Sequence, residues 1–246
     1  MLLSISKALW LRGTEMFDGK LKALTFSFDD GITQDQRLIE IFNKYDLKCT
    51  FNINSELLGK AGSLVRDEVT VAHCKPRDCE IAKIYKDHEV AAHTLTHPLL
   101  TSLPDEEVIR QVETDRINLS KFVGYEVKGM AYPCGGKNND ERVAKLIKEN
   151  TGIKYSRTIT SAKSFDLQND LIRFDPTERQ GNHKSIEELT KKFIDLKPDS
   201  PKLFYIWGHS FEFDTDNSWS WFEDICKELA NRDDIFYGTN SQVFGV

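Results

Sequence analysis

Two adjacent carboxylates follow a short apolar segment near the start of the chain. Asp29 and Asp30 come directly after an alternation of apolar residues, which predicts a strand that ends at this point. A buried strand does not hold unpaired charge, so the two carboxylates lie either in a solvated turn or beside a compensating positive group. Gly31 follows them, and Asp-Asp-Gly is also a good turn signal. The residue types leave both interpretations open.

Two histidines four positions apart follow another short apolar segment. Pro98 comes directly after the second of them, His97, and disfavours a helical conformation there, so a turn is expected. His93 and His97 could be a chance surface pair. Together with Asp30, however, they could hold a metal ion and leave coordination positions free for water and substrate. Asp29 would then be available as a base beside that water.

The elements that must position these residues alternate between strand and helix patterns. Strand-like runs are expected at 22–28, 48–54, 88–92, 127–132, 153–156, 171–174 and 203–207, with a last one near 235–238. Amphipathic helical patterns cover 36–45, 104–122 and 185–196, and another begins at Ser218. Ser185 with Glu188 has the pattern of a capping box. The stretch 59–73 is the least regular and is expected to form a long loop.

This alternation predicts a particular fold class. Repeated strand–helix units with short links imply a parallel sheet or barrel with helices outside and right-handed crossovers. In such folds, functional sites form at the carboxyl ends of strands. The chemistry-bearing residues at such ends are Asp29, Asp30, His93, the turn 132–136, Asp175 and His209. His209 ends an aromatic strand and could also be a core histidine, but the coincidence of positions argues for one shared site.

Composition limits the function classes. The 246 residues carry a net charge of −6 without a basic stripe, which argues against a nucleic acid or an anionic membrane as partner. No apolar stretch is long enough to cross a bilayer, and residues 1–10 are too short and interrupted for a signal segment. The five cysteines are odd in number and scattered, which indicates reduced thiols and a cytoplasmic location. His73, Cys74 and Cys79 could suggest structural zinc, but no second cysteine pair accompanies them.

Taken together, these segments resemble the polysaccharide deacetylase family, the NodB-homology enzymes of carbohydrate esterase family 4. Asp29 and Asp30 are similar to its first motif, and His93 and His97 to its second, H-[ST]-x-x-H. The third motif, R-x-P-[FY], belongs at 131–134, and the fifth, L-x-H, at 207–209. The resemblance runs from about residue 22 to the C-terminus. It implies one catalytic domain over 1–246, with its core at about 22–240, folded as a distorted (β/α)7-type barrel with parallel strands inside and helices outside.

The resemblance also implies the role of each matching residue. Asp30, His93 and His97 correspond to metal ligands, Asp29 to the catalytic base, and His209 to the catalytic acid. The ion is expected to be divalent, in the first place Zn²⁺, with Co²⁺, Ni²⁺ or Mn²⁺ as alternatives. It would activate water and polarise the acyl oxygen. A backbone N–H in the turn after the third-motif proline would help to hold the oxyanion.

The chain departs from the family pattern around the pocket. The third motif has Ala131 in place of its arginine and Cys134 in place of its aromatic residue, and Trp207 replaces the leucine of the fifth. In some family members the arginine that braces the base comes from the fourth motif, so Arg173 is expected to reach Asp29.

The remaining site residues are expected to support the acid and to line the pocket. Asp175 is expected to orient His209 and keep it positively charged. Tyr132, Pro133, Cys134 and Trp207 are expected to contact substrate.

The implied activity is removal of an N-acyl group, in the first place N-acetyl, from an amino sugar or oligosaccharide. A second interpretation is hydrolysis of another non-peptide C–N bond, such as that of a cyclic ureide or imide, on the same fold. A third is a sugar-binding relative without catalysis, which the retained base and ligands disfavour. In each case the partner is a small molecule or an oligosaccharide.

Overall fold

The structure is a computed structural model that describes residues 16–66 and 68–246. Residues 1–10, which the sequence analysis does not expect to form a signal segment, lie outside these residues. Within the described chain, no helix has both the length and the apolar character that a membrane crossing requires.

The described residues form ten strands and eight α-helices. The strands are β1 (Lys22–Asp30), β2 (Cys49–Ile53), β3 (Ser63–Arg66), β4 (Val69–Ala72), β5 (Glu89–Ala92), β6 (Gly129–Ala131), β7 (Tyr155–Arg157), β8 (Glu178–Arg179), β9 (Lys202–Gly208) and β10 (Ile235–Tyr237). The helices are α1 (Asp35–Lys44), α2 (Ile81–Ile84), α3 (Asp105–Val123), α4 (Glu141–Asn150), α5 (His183–Asp195), α6 (Glu212–Thr215), α7 (Trp219–Leu229) and α8 (Asn240–Phe244). Short 3₁₀ turns lie at Ser55–Leu57, Asp78–Glu80, Leu100–Ser102 and Leu171–Arg173.

Eight of the strands form one parallel sheet in the order β7-β6-β5-β2-β1-β9-β8, with β10 beside the first part of β1. The sheet curls until its two ends meet. Phe174 forms a parallel bridge with Arg157 at the end of β7, and four residues later Glu178 begins β8, which pairs with β9. The segment 174–179 therefore links the two edges, and the predicted distorted barrel with parallel strands inside and helices outside is confirmed.

Strand β1 shows how the sequence produces the two faces of this barrel. All nine of its residues are buried, and side chains alternate between the faces of a strand. Phe26 and Phe28 point outward and pack on Phe42 of α1, with ring centroids 4.8 and 6.1 Å away. Ser27 and Asp29 face the interior, where both contact polar side chains from other strands. The apolar alternation thus covers the outside of the strand and leaves the interior face for chemistry.

The predicted strand at 171–174 is wrong. Leu171–Arg173 is a 3₁₀ turn, because the Asp170 carboxylate accepts a hydrogen bond of 3.0 Å from the backbone N–H of Ile172 and starts the turn. Only Phe174 pairs with the sheet. The short strand β8 that follows was not predicted.

Two further local predictions also fail. The stretch 59–73, expected to be an irregular loop, contains the antiparallel hairpin β3–β4. The capping box of Ser185 and Glu188 is wrong, because α5 already begins at His183 and the Ser185 hydroxyl instead donates to Glu178 at 2.6 Å.

The close packing of β6 against β7 yields a test of the fold. A Cβ atom added to Gly129 would lie 2.0 Å from Cζ of Tyr155, whose ring is fully buried and whose hydroxyl donates to Glu89 at 2.8 Å. We expect Gly129→Ala to lower the free energy of unfolding by about 1–3 kcal/mol in urea denaturation, as overpacked cores do. Gly135→Ala is the matched control, because a Cβ there meets no atom within 4 Å, and it should change stability by about 0.5 kcal/mol or less. Equal effects of the two substitutions would contradict this account of the packing.

Candidate active site

The backbone around the carboxyl ends of the strands is unusual. Four non-glycine residues there have positive φ angles, namely Asp30 at 82°, Thr94 at 68°, His97 at 62° and Cys134 at 66°. Such conformations are unfavourable for residues with a Cβ and persist only where the surroundings enforce them. Asp30 is the last residue of β1, Thr94 and His97 lie in the connection after β5, and Cys134 lies in the connection after β6. The surroundings at this end of the barrel therefore support several backbone conformations that are unfavourable in isolation.

Asp30, His93 and His97 lie together at this end. Oδ1 of Asp30 is 3.9 Å from Nε2 of His93 and 3.6 Å from Nε2 of His97. One ligand atom from each residue can be chosen so that all three lie within 4.8 Å of one another. The structure therefore brings together the three residues that the sequence nominated as metal ligands.

His93 is held by both its ring and its backbone. Its Nδ1 donates to the carbonyl oxygen of Ala131 at 2.9 Å, so that Nε2 carries the free lone pair. Its backbone N–H donates to the Asp115 carboxylate at 3.0 Å. Asp115 belongs to α3, is fully buried, and also accepts the backbone N–H of Ser55. Burial lowers the pKa of His93 to about 4, which keeps the imidazole neutral at neutral pH.

These properties fit a divalent metal ion. Burial also lowers the pKa of His97, so both imidazoles are neutral donors. Burial alone would raise the pKa of Asp30, but the hydrogen bond from His73 and nearby positive groups hold it well below its usual range. Two neutral imidazoles and one ionised carboxylate are a common ligand set for such ions, with coordination positions left over.

Asp29 is held by a buried arginine from the far side of the sheet. Nη2 of Arg157 hydrogen-bonds both carboxylate oxygens, and Asn52 donates to Oδ1 at 2.8 Å. Arg157 has no exposed surface, and its Cζ lies 4.3 Å from the ring centroid of Trp207. Burial would raise the pKa of Asp29, but the charge and hydrogen bond of Arg157, together with His93 and His209, outweigh it, and the net shift is downward. Asp29 is therefore ionised and held in one orientation.

The predicted contact between Arg173 and Asp29 is wrong. Nε of Arg173 donates instead to the side-chain oxygen of Asn139 at 2.9 Å, because the residue lies in a 3₁₀ turn rather than on an inward-facing strand. Arg157 makes the contact with Asp29 that was expected of Arg173. The sequence held a signal for Arg157, since it directly follows the strand pattern at 153–156 and so occupies a carboxyl end like the other site residues.

His209 lies on the other side of Asp29. Its Nε2 is 4.0 Å from Oδ2 of Asp29, and its Nδ1 is 3.0 Å from Oε1 of Glu212. Burial would lower the pKa of His209, but the hydrogen bond and charge of Glu212, together with the charges of Asp30 and Asp29, outweigh it, and the pKa is raised. Glu212 is in turn held by Arg179 and Gln180, which both donate to it.

The predicted contact between Asp175 and His209 is also wrong. The Asp175 carboxylate accepts the hydroxyl of Thr158, and its backbone N–H donates to the side chain of Gln168 at 2.9 Å. Asp175 precedes β8 in the segment that closes the barrel, whereas Glu212 starts the short helix α6 three residues after the histidine. The helical spacing of three between His209 and Glu212 is the signal that the sequence offered.

A cavity of about 770 Å³ opens over these groups. Tyr132, Cys134 and Trp207 line it, as expected of substrate contacts, whereas Pro133 is not among its lining residues. Sγ of Cys134 lies 3.6 Å from Nδ1 of His97, so the cavity wall at Cys134 is close to a candidate metal ligand. Trp207 is 5% exposed and packs on Arg157, which gives it a structural role in addition.

One histidine reaches the site from a segment that the motifs do not include. Nε2 of His73 lies 3.1 Å from Oδ2 of Asp30.

The structure does not group His73, Cys74 and Cys79 into a structural zinc site. Within the described part of the chain, the residues whose ligand atoms lie close enough to hold a metal ion are Asp30, His93 and His97.

Comparison with known proteins agrees with this geometry. Residues 18–155 match the family model described as polysaccharide deacetylase. The chain belongs to the polysaccharide deacetylase family. No curated protein matches its sequence.

Several solved structures share the fold. A family 4 acetyl xylan esterase from Clostridium thermocellum, solved with a cobalt ion, is 14% identical with a TM-score of 0.56, and the match covers 91% of each chain. The CE4 domain of a xylanase from the hindgut metagenome of Trinervitermes trinervoides is 15% identical with a TM-score of 0.58, covering 91% of this chain and 90% of that one. A CE4 family pseudoenzyme from Bacillus anthracis is 15% identical with a TM-score of 0.55, covering 90% of this chain. The match covers only 65% of the length of that pseudoenzyme.

The two arginines give a matched pair for a stability test. Arg157→Ala would leave the buried Asp29 carboxylate without its cation, and loss of one partner of a buried ion pair typically lowers the free energy of unfolding by about 3–5 kcal/mol. Arg173→Ala removes only a contact at a partly exposed turn, and we expect a loss of about 1 kcal/mol or less. Urea denaturation of both variants at pH 7 measures the difference. Similar losses in the two variants would show that Arg157 does not hold Asp29.

The pairing of His209 with Glu212 predicts a change in titration. In Glu212→Gln the carboxylate charge is lost while burial remains, so the pKa of His209 should fall, although the Asp30 and Asp29 carboxylates continue to raise it. The protonated form would then be lost at lower pH than in the unmodified protein. NMR titration of the imidazole signals measures this shift. Asp175→Asn is the control and should leave the pKa unchanged; a fall there instead would reassign the partner.

Proposed function

We propose that this protein is a metal-dependent hydrolase that removes an N-acyl group, in the first place N-acetyl, from an amino sugar or oligosaccharide. The observation that carries the proposal is the combination of three groups in one cavity. These are the group of Asp30, His93 and His97, whose ligand atoms are close enough to hold a metal ion, an ionised carboxylate at Asp29, and an imidazole at His209 whose pKa is raised. Amide hydrolysis needs activation of the carbonyl, a base for water and an acid for the departing amine.

Asp30, His93 and His97 would hold the ion, and we infer Zn²⁺ from their mixed nitrogen and oxygen donors. When bound, such an ion supplies Lewis acidity toward water and the acyl carbonyl. The fold keeps the three candidate ligands in the protonation states that bind a cation. The hydrogen bond from Nδ1 of His93 to Ala131 leaves Nε2 free to bind, and the depressed imidazole pKa values mean that few protons compete with the ion.

Asp29 is assigned as the general base. Arg157 and Asn52 fix its orientation and keep it ionised, so it can accept a proton from the attacking water. The backbone N–H of Cys134 donates to no group in the part of the chain that the structure describes. We infer that it is available to stabilise the oxyanion.

His209 is assigned as the general acid. Its contact with Glu212 favours the imidazolium form, and its Nε2 lies 4.0 Å from Oδ2 of Asp29 in the same cavity. Base and acid are thus kept distinct by their surroundings, since Arg157 stabilises the negative charge of one and Glu212 the positive charge of the other. The retained base and ligands separate this chain from a binding-only relative, which is a necessary distinction because the Bacillus anthracis neighbour with the same fold is called a pseudoenzyme.

The decisive assay measures acetate release from N-acetylated chitooligosaccharides by the purified protein with Zn²⁺. We expect Asp29→Asn to lower turnover by roughly 10²–10⁴, the usual contribution of a general base, while metal content stays near that of the unmodified protein. Asp30→Asn should instead lose bound metal. The two neighbours are matched in size and charge, so they separate the roles of base and ligand.

Three outcomes would revise the proposal. An exchange of the two phenotypes would reverse the assignments of Asp29 and Asp30. Turnover of cyclic ureides or imides without acetate release would favour the second C–N hydrolase activity. Metal binding without turnover of either substrate class would indicate a sugar-binding role.

A further inference from the structure

The hairpin β3–β4 ends beside the candidate metal site. Its pairing continues beyond the two strands, because the backbone N–H of His73 donates to the carbonyl of Gly62 at 2.8 Å and that of Lys75 donates to Lys60 at 2.9 Å. His73 is therefore held at the base of the hairpin by main-chain hydrogen bonds. Its position does not depend on the motifs that supply the three candidate ligands.

The His73 ring is held against the Asp30 carboxylate. Its side chain is 18% exposed, and its ring packs edge-on against Phe211 with centroids 5.6 Å apart. Nε2 lies 3.1 Å from Oδ2 of Asp30. Since the carboxylate is ionised, Nε2 must be the donor in this hydrogen bond.

The two oxygens of Asp30 consequently have different partners. Oδ2 accepts from His73, whereas Oδ1 is the atom that lies 3.9 and 3.6 Å from Nε2 of His93 and His97. A carboxylate with both oxygens free can rotate and would lose that freedom when it binds an ion. The hydrogen bond removes this freedom beforehand and directs Oδ1 toward the two imidazoles.

The same segment also supports the main chain of Asp30. The Lys75 ammonium, which is 8% exposed, donates to the backbone carbonyl of Asp30. Asp30 has a φ of 82°, a conformation that needs support from its surroundings. Two residues of the hairpin base thus hold one residue of the candidate metal site, one by its side chain and one by its backbone.

We propose that His73 is a positioning residue for the metal ion: it orients the Asp30 carboxylate and thereby raises the affinity of the site for a divalent cation. The proposal rests on the proposed function, since it assumes that Asp30, His93 and His97 bind the ion. His73 itself does not ligate in this arrangement, because its Nε2 is engaged with Asp30.

The test is the Zn²⁺ dissociation constant, measured by competition with a chromophoric chelator. We expect His73→Ala to bind Zn²⁺ roughly 10–100-fold more weakly, the range seen when a residue that orients a ligand is removed. His73→Gln keeps an N–H donor and should recover part of the affinity. His183→Ala is the matched control, because that ring stacks on Trp221 and should leave the affinity unchanged. Circular dichroism of each variant confirms that it is folded.

The outcomes separate this proposal from the proposed function. Unchanged affinity in His73→Ala would overturn the positioning role and leave the metal site intact. Equally weak binding by His73→Ala and His73→Gln would also overturn it and would indicate direct ligation by the ring. Failure of the unmodified protein to bind Zn²⁺ at micromolar concentration would overturn both.

Discussion

The ion pair between Arg157 and Asp29 connects opposite walls of the barrel and can form only if the sheet is curled. Arg157 ends β7 and Asp29 lies near the end of β1, with β6, β5 and β2 between them in the sheet. In a flat sheet four strand spacings would separate the two by roughly 19 Å, which is more than an arginine side chain can span. Their direct contact therefore requires the sheet to curl, and closure through segment 174–179 places the two side chains on opposite walls of one interior.

This ion pair also explains how the site can be both buried and charged. Transfer of a carboxylate from water into the barrel is unfavourable unless the charge is compensated. The guanidinium supplies a matching charge and two hydrogen bonds, and Asn52 supplies a third. A buried pair of this kind is weak evidence for added stability. The pair instead keeps the Asp29 carboxylate ionised and in one orientation inside the cavity.

The same design recurs at the other candidate groups. Asp115 holds the backbone of His93, Glu212 holds the ring of His209, and His73 holds the carboxylate of Asp30. These three partners come from α3, from the start of α6 and from the base of the β3–β4 hairpin. Different parts of the chain thus supply the candidate site residues and the groups that orient them. Under the proposed function, a substitution far from the family motifs would change metal affinity or the pKa of His209 while every residue assigned a role in the reaction stays in place.

The amino-acid sequence was sufficient to predict the fold class and the motif residues that meet at the site. Both follow from local rules: the alternation of apolar residues defines the strands, and parallel strands bring their carboxyl ends to one side. Asp29, Asp30, His93 and His209 were accessible to that reasoning, as was the family resemblance that their motifs carry. Arg157 also lies at the carboxyl end of a strand, but it belongs to none of the motifs.

Which of these groups pair with one another follows from the three-dimensional fold alone. Arg157 and Asp29 are 128 positions apart, and whether they touch depends on barrel closure rather than on any local pattern. Arg173 was a reasonable candidate until its segment proved to be a 3₁₀ turn, which directs the side chain to Asn139 instead. Asp175 and Glu212 are both carboxylates near strand ends, and the helical turn after His209 selects the second. His73 reaches Asp30 because main-chain pairing completes a hairpin in a stretch with no clear periodicity. Contacts of this kind depend on distances across the folded barrel, which composition and spacing along the chain do not contain.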